Sequence, residues 1–312
     1  TNLGRITSTI GNPAFFAVYL FFNITFAFVV VVNKHIADWW RIIVGITLIP
    51  LFVAYFMTGV KGAAMALLFG IILFVVGYVL WSENKKIKKI VLYLFAGFFI
   101  FMSLLFVFKE SSFATKNAFF GRLFTMSISD PTIQTRLISW GIECENGFGS
   151  CGALKGIKEN FFLGVGPQKF DIVFNKYFDP RFYALVGTET WWDRAHNMVL
   201  EVFATMGVVG LLAYLGVGLS MVYSLYRIGK KEKGARVEIL ILLAFLGGYF
   251  IQNLFVFDTI SSYIVLTVFV SYIVSRTTDF NFWRDRFEGF LVKIRNTISQ
   301  SSKEKIPQYW WV

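Results

Sequence analysis

An all-helical, multi-pass membrane protein of about seven transmembrane helices, with one large helical extracytoplasmic loop between the fourth and the fifth, is the architecture this sequence implies. The 312-residue chain is 56% hydrophobic and only 16% charged, and its mean hydropathy is +0.62. A soluble domain of this length could not hide that much apolar surface. Seven stretches approach the roughly 20 apolar residues that a bilayer crossing needs. The cations between them fall on alternate sides, as loop charge does in multi-pass proteins. A net charge of +11 would suggest nucleic acid in a soluble protein. Here it sits in short loops between apolar spans, so it reads as topology and not as a nucleic-acid surface.

The expected spans are residues 14–32, 42–57, 62–81, 90–108, 198–226, 237–257 and 259–275. The second and seventh are short, and the fifth is long enough to tilt or protrude. Trp39, Trp40 and Trp81 stand at span ends, where amphipathic rings favour the interface. One set of loops carries Lys34, Arg41, Lys85, Lys86, Lys88, Lys89, Arg227, Lys230, Lys231, Lys233 and Arg236. The opposite short segments carry only Arg5 and Lys61. The basic loops are therefore expected to face the cytoplasm and residues 109–195 the exterior. The chain divides into residues 1–108 (four spans), 109–195 (the extracytoplasmic loop), 196–275 (three spans) and 276–312. In the last part, Trp283, Phe287, Phe290, Leu291, Ile294 and Ile298 recur at helical spacing among Arg284, Arg286, Lys293 and Arg295. That pattern predicts a basic amphipathic helix on the inner leaflet, an anchor without chemistry.

Within the long loop, Pro131 starts a helix on which Arg136 and Trp140, four apart, share a face. A second helix is expected over residues 153–162. It ends at Leu163-Gly164-Val165-Gly166-Pro167, where glycines permit a sharp turn. This Gly-x-Gly follows no strand, which excludes a dinucleotide fingerprint. Residues 168–178 alternate apolar and polar side chains helically and are expected to lie flat on the membrane. Cys144 and Cys151, the only cysteines, are close enough to close a disulfide clip in an oxidising exterior. Two thiols without a nearby histidine make a poor zinc site.

His196 precedes the fifth span, at a helix N-terminus whose partial positive charge disfavours imidazolium. A neutral ring there suits a proton acceptor, and free amides of the same turn suit an anion. The alternative is an interfacial histidine that only caps the helix, and both readings stand. Asn197 is the candidate cap, with Glu201 one turn below. Lys61 and Arg5 add cations on the same side. Gln252, Asn253 and Asp258, polar at the end of the sixth span, suggest a cleft, because unpaired polar groups in a span are costly.

The ordered set Arg5…Gly11-Asn12-Pro13, Thr58…Lys61-Gly62-Ala63, Arg136-x3-Trp140, Gly164-x-Gly166-x3-Phe170, Ala195-His196-Asn197-x2-Leu200-Glu201 and Gly207-x2-Gly210 resembles the O-antigen ligase and O-antigen polymerase family. That family includes pilin and other protein O-oligosaccharyltransferases. The resemblance covers nearly the whole chain up to the seventh span. It implies a multi-spanning glycosyltransferase of the cytoplasmic (inner) membrane, active on the extracytoplasmic face. Such enzymes move a glycan from an undecaprenyl pyrophosphate carrier to an acceptor hydroxyl on a lipid, a glycan or a protein. The family's loop arginine corresponds to Arg136 and its loop histidine to His196.

There are departures from the pattern. Lys61 stands where the family has an arginine, and lysine keeps the charge but loses the bidentate fork. Ala14 replaces a second asparagine, and residues 141–152 look like an insertion. Family members usually have several spans before Gly-Asn-Pro, and Thr1 is not a methionine, so the chain is expected to be N-terminally shortened.

The chemistry implied is cation-based. Fixed donors in a low-dielectric site stabilise a departing pyrophosphate well, so Arg136, helped by Lys61 and Arg194, would replace a metal, and no cofactor is expected. Arg5 and Asn197 complete the candidate substrate-binding set, and His196 would take the acceptor's proton. Two alternatives compete with this reading. A peptidoglycan-polymerase-type glycosyltransferase would use a loop carboxylate, for which Asp193 is the candidate. A lipid-linked glycan transporter would show internal repeats and mid-span ionisable groups, of which these spans carry almost none.

Overall fold

The computed structural model describes residues 5–82, 84–107, 130–186 and 191–277, with isolated positions beyond. The secondary structure of these residues is helical throughout, without strands. In order they are α1 (Pro13–Val32), α2 (Asp38–Met57), α3 (Lys61–Trp81), α4 (Lys85–Val107), α5 (Pro131–Trp140), α6 (Gly152–Glu159), α7 (Phe170–Lys176), α8 (Arg181–Val186), α9 (Met198–Lys231), α10 (Arg236–Asn253) and α11 (Ile260–Thr277). Among the described residues, α1, α2, α3, α9, α10 and α11 are long and apolar enough to cross a membrane. The protein is a multi-pass membrane protein. Helix α4 covers the fourth expected span up to its last residue, Phe108, which lies outside the described residues, as do residues 109–129 and almost all of the expected amphipathic helix after α11.

The chain forms two compact units that divide between Val268 and Phe269, within α11. In the second, Arg276 donates to the hydroxyl of Tyr272 at 3.0 Å. All that follows concerns the first.

Helix α1 starts where the Asn12 side chain accepts the Ala14 amide at 2.8 Å, and Pro13 removes an amide that would have no partner. Helix α2 runs from Asp38, four residues ahead of the expected apolar span, and the Asp38 carboxylate holds the Arg41 guanidinium at 2.7 Å across its first turn. Trp39 and Trp40 thereby join the helix as a stacked, exposed pair. About half of α1 and of the α10 span is buried, against 6% of α2, so α1 and α10 form the centre and α2 the rim. Helix α10 backs directly onto α3: a Cβ on Gly248 would lie 2.7 Å from the Ala66 carbonyl oxygen. Small residues allow this in a membrane, where close packing replaces the hydrophobic effect. Phe22, fully buried, packs its ring 4.5 Å from Phe245, tilted by 60°, across the same centre.

Helices α5 to α8 and the start of α9 share a separate apolar core outside the span bundle. Ile138, Ile157, Phe170, Val173, Phe174, Phe182 and Trp192 fill it, and Ala195 and Ala204 close it from the α9 side. This corrects the expectation that residues 168–178 lie on the membrane. Phe170 and Val173 are 0% exposed and Phe174 2%, so the apolar face of α7 is taken by protein. The disulfide between Cys144 and Cys151 lies in the same core. Asp179 orders the segment it closes, accepting the Glu145 amide at 3.0 Å while Arg181 reaches the Glu143 carbonyl at 2.7 Å.

The fifth expected span is not one helix. Helix α9 breaks at Gly207, whose φ of 66° and ψ of −168° are non-helical. The carbonyls and amides released at the break are taken by the loop after α6. Val165 and Gly166 donate to Ala204 and Thr205 at 3.2 and 2.8 Å, and Val208 donates to Phe161 at 2.8 Å. Irregular backbone at a span is tolerated where protein satisfies it. Gly164, at φ 66°, and Gly207 make the approach feasible: a Cβ on either would fall 2.2–2.3 Å from the backbone of the segment opposite.

Candidate functional site

Helix α5 is capped by Asp130, whose side chain accepts the Thr132 amide at 3.0 Å. Its other carboxylate oxygen takes the Lys61 ammonium at 3.2 Å. Lys61 opens α3, so this pair ties the loop helix to the span bundle. Burial pushes the Asp130 carboxyl up, but the Thr132 amide and the Lys61 charge outweigh it, leaving the group below the usual carboxylate range. Arg5 lies beside this corner and donates to the Gly59 carbonyl at 3.0 Å.

One turn before its end, α5 presents Arg136, and at its end Trp140 on the same face. The Trp140 indole donates to the Ala195 carbonyl at 2.6 Å. That bond fixes the face of α5 against the residue preceding His196. Arg136 is accordingly within electrostatic reach of the imidazole: burial first, and then the Arg136 charge, hold His196 below its ordinary value. Burial also lowers Arg136, while the Asp130 carboxylate favours its charge.

His196 itself has a left-handed backbone, with φ at 52°, a conformation that side-chain-bearing residues adopt at a cost of about 1–3 kcal/mol. Three contacts hold it. Its Nδ1 lies 3.1 Å from the Arg194 carbonyl. Its ring packs 4.4 Å from Trp192 and edge-on 5.3 Å from Phe257. A carbonyl partner requires that Nδ1 carry the proton, which leaves the Nε2 lone pair free as an acceptor.

The segment leading to His196 is pinned from below by Glu201, 3% exposed. Its carboxylate accepts the Ala195 amide at 2.6 Å and the Arg194 guanidinium at 3.4 Å. Arg194 also lies 5.7 Å over the Phe257 ring. Asn197 caps α9, its side-chain oxygen accepting the Val199 and Leu200 amides at 3.0 and 3.1 Å. The Glu201 amide goes to the Asn197 carbonyl. The expectation of free first-turn amides for an anion is therefore corrected, because these three already have partners. Asn197 shapes the site as a cap.

Arg136, His196, Lys61 and Arg194 thus gather at the loop end of the bundle, where α3 begins and α10 ends. Arg5 stands one step away, behind Gly59. Asp193, the carboxylate of the alternative reading, is exposed. Of the polar residues at the end of α10, Asp258 is bonded by Tyr249, Asn253 and Ser262, whereas the buried Gln252 amide and the Asn253 side-chain oxygen have no hydrogen-bond partner among the described residues. Asp258 follows Phe257, so the cluster braces the ring against His196. Sequence reasoning missed Asp130, Trp192 and Phe257. The Asp130-Pro131 pair carries a capping signal, whereas nothing local marks the two rings. Among the described residues no group of three or more His, Cys, Asp or Glu is placed to hold a metal ion.

Against known proteins, the O-antigen ligase family description matches residues 46–215, which contain Lys61, Arg136, Arg194, His196 and the broken part of α9. No curated protein and no solved structure matches the chain. Because the match spans more than half of the sequence, the chain belongs to the O-antigen ligase family.

Proposed function

We propose that the protein transfers a glycan from an undecaprenyl pyrophosphate carrier to an acceptor hydroxyl, on the extracytoplasmic face of the cytoplasmic membrane. The observation that carries this reading is a half-buried His196 within the electrostatic reach of Arg136, with its Nδ1 on the Arg194 carbonyl and its Nε2 left as an acceptor. The acceptor oxygen attacks the anomeric carbon while its proton passes to Nε2. The bond from that carbon to the pyrophosphate breaks with its electron pair, and the charge that develops is met by Arg136, with Lys61 and Arg194 beside it. A single displacement inverts the anomeric configuration. Arg136 serves better than a lysine here, since its fork binds two phosphate oxygens at once.

Ligase and polymerase differ only in the acceptor: a lipid core or protein, or another lipid-linked repeat. The test is transfer from a purified lipid-linked oligosaccharide by the reconstituted protein, with and without a chelator. Transfer that survives chelation, giving an inverted product, supports the scheme. Loss of transfer on chelation contradicts the cation clamp.

A further inference from the structure

The loop that mates with the α9 break carries an apolar tip. Phe161, Phe162 and Leu163 are 45%, 71% and 75% exposed, although the backbone around them is bonded to α9 on both sides of Gly207. No charge lies between Glu159 and Lys169. On α9 itself the neighbouring Met206, Val209 and Leu212 are 41%, 57% and 64% exposed, so loop and helix present adjoining apolar surface.

The height of this surface follows from the cations at the other end of α9. Arg227, Lys230 and Lys231 mark one interface. Counting outward from Arg227, Gly207 is about 20 residues away, or about 30 Å at 1.5 Å per residue. That is roughly the thickness of the hydrocarbon core. The break therefore lies at the far hydrocarbon boundary, and the loop tip lies beside it.

We propose that Phe161, Phe162 and Leu163 are inserted among the lipid chains of the leaflet on the side of the site. The loop is then a direct lipid contact for the outer helical unit, beside the Lys61–Asp130 pair and the backbone bonds to α9 that tie it to the spans. The occupant is bilayer lipid, because the patch continues the lipid-facing surface of a spanning helix. The inference rests on the multi-pass fold and not on the chemistry proposed for His196.

The test is nitroxide labelling of Phe162→Cys and, separately, Leu163→Cys, in phosphatidylcholine–phosphatidylglycerol vesicles. The two native cysteines are joined to each other and take no label. Power saturation is compared between oxygen, which partitions into hydrocarbon, and a water-soluble nickel chelate. Leu212→Cys serves as the lipid reference and Phe148→Cys, 70% exposed in the disulfide-closed segment, as the aqueous reference. Labels at 162 and 163 are expected to match the Leu212 position, with oxygen accessibility several-fold above nickel accessibility. Labels that match the Phe148 position would overturn the proposal. So would labels shielded from both reagents, which would place a protein partner or a second copy on the tip.

Discussion

The indole of Trp140 donates to the carbonyl of Ala195 at 2.6 Å, and this bond, beside the core that Ile138 and Ala195 share, holds the Arg136 face of α5 to the His196 segment. Replacing Trp140 by Phe keeps the ring and deletes the donor, leaving a carbonyl without its partner. A stability loss of about 1 kcal/mol is expected, visible as a lower thermal midpoint in detergent. The more telling readout is the His196 imidazole. Its titration, followed by proton NMR with His35→Ala to remove the other histidine, should move up as Arg136 drifts away. An unchanged titration would show that something other than Trp140 sets the pair.

The acid limb of activity should report His196. Burial and the Arg136 charge both depress the imidazole, so the neutral base persists below the ordinary value of about 6.5. Transfer is lost only as pH falls through that depressed value. The same sign holds for folding: the folded protein resists protonation, so this group's contribution to stability is present above about 6.5 and declines as the pH falls below it. In Arg136→Met one of the two causes disappears. The imidazole titration should then shift upward, towards 6.5, while the transfer rate falls. A downward shift would mean that Arg136 does not act on His196.

Gly207→Ala and Gly164→Ala should each damage the fold where α9 meets the loop. A Cβ at either position would stand within 2.3 Å of backbone atoms on the other side, at a positive φ. About 2 kcal/mol or more of destabilisation is expected, in the range typical of strained, overpacked sites. By contrast Gly216→Ala, where a Cβ meets nothing, should be close to neutral. Equal midpoints for all three would remove the loop-in-helix junction.

Lys61 holds Asp130 at 3.2 Å, and under the proposed reaction it exchanges that partner for a phosphate. Lys61→Ala should raise the KM for the lipid-linked donor about tenfold with a smaller change in kcat, and Lys61→Arg should restore it. A KM that stays at the parental value would confine Lys61 to a structural tie.

Much of this was legible in the sequence, for reasons that can be named. The four-residue spacing of Arg136 and Trp140, the Asn197 cap and the nearness of Cys144 to Cys151 are local, and local chemistry decides them. The glycine pairs at 164–166 and 207–210 were visible as motifs, but not the fact that they meet. The apolar pattern runs unbroken across Gly207, so hydropathy cannot register a break whose backbone groups are satisfied by a distant loop. Helix α7 was misplaced for a related reason: an amphipathic pattern requires an apolar partner without saying whether it is lipid or protein. Trp192 comes from the segment of His196 itself and Phe257 from the turn after α10, and only the tertiary structure brings the second ring to the imidazole.

The central claim is that His196 takes the proton of an acceptor held against a pyrophosphate on Arg136. It is tested most directly by His196→Ala, reconstituted and supplied with lipid-linked oligosaccharide and acceptor. With thermal midpoint and membrane insertion at the parental level, transfer should fall by about 100-fold to 10,000-fold, the usual worth of a positioned base. Parental transfer rates in that variant would contradict the account.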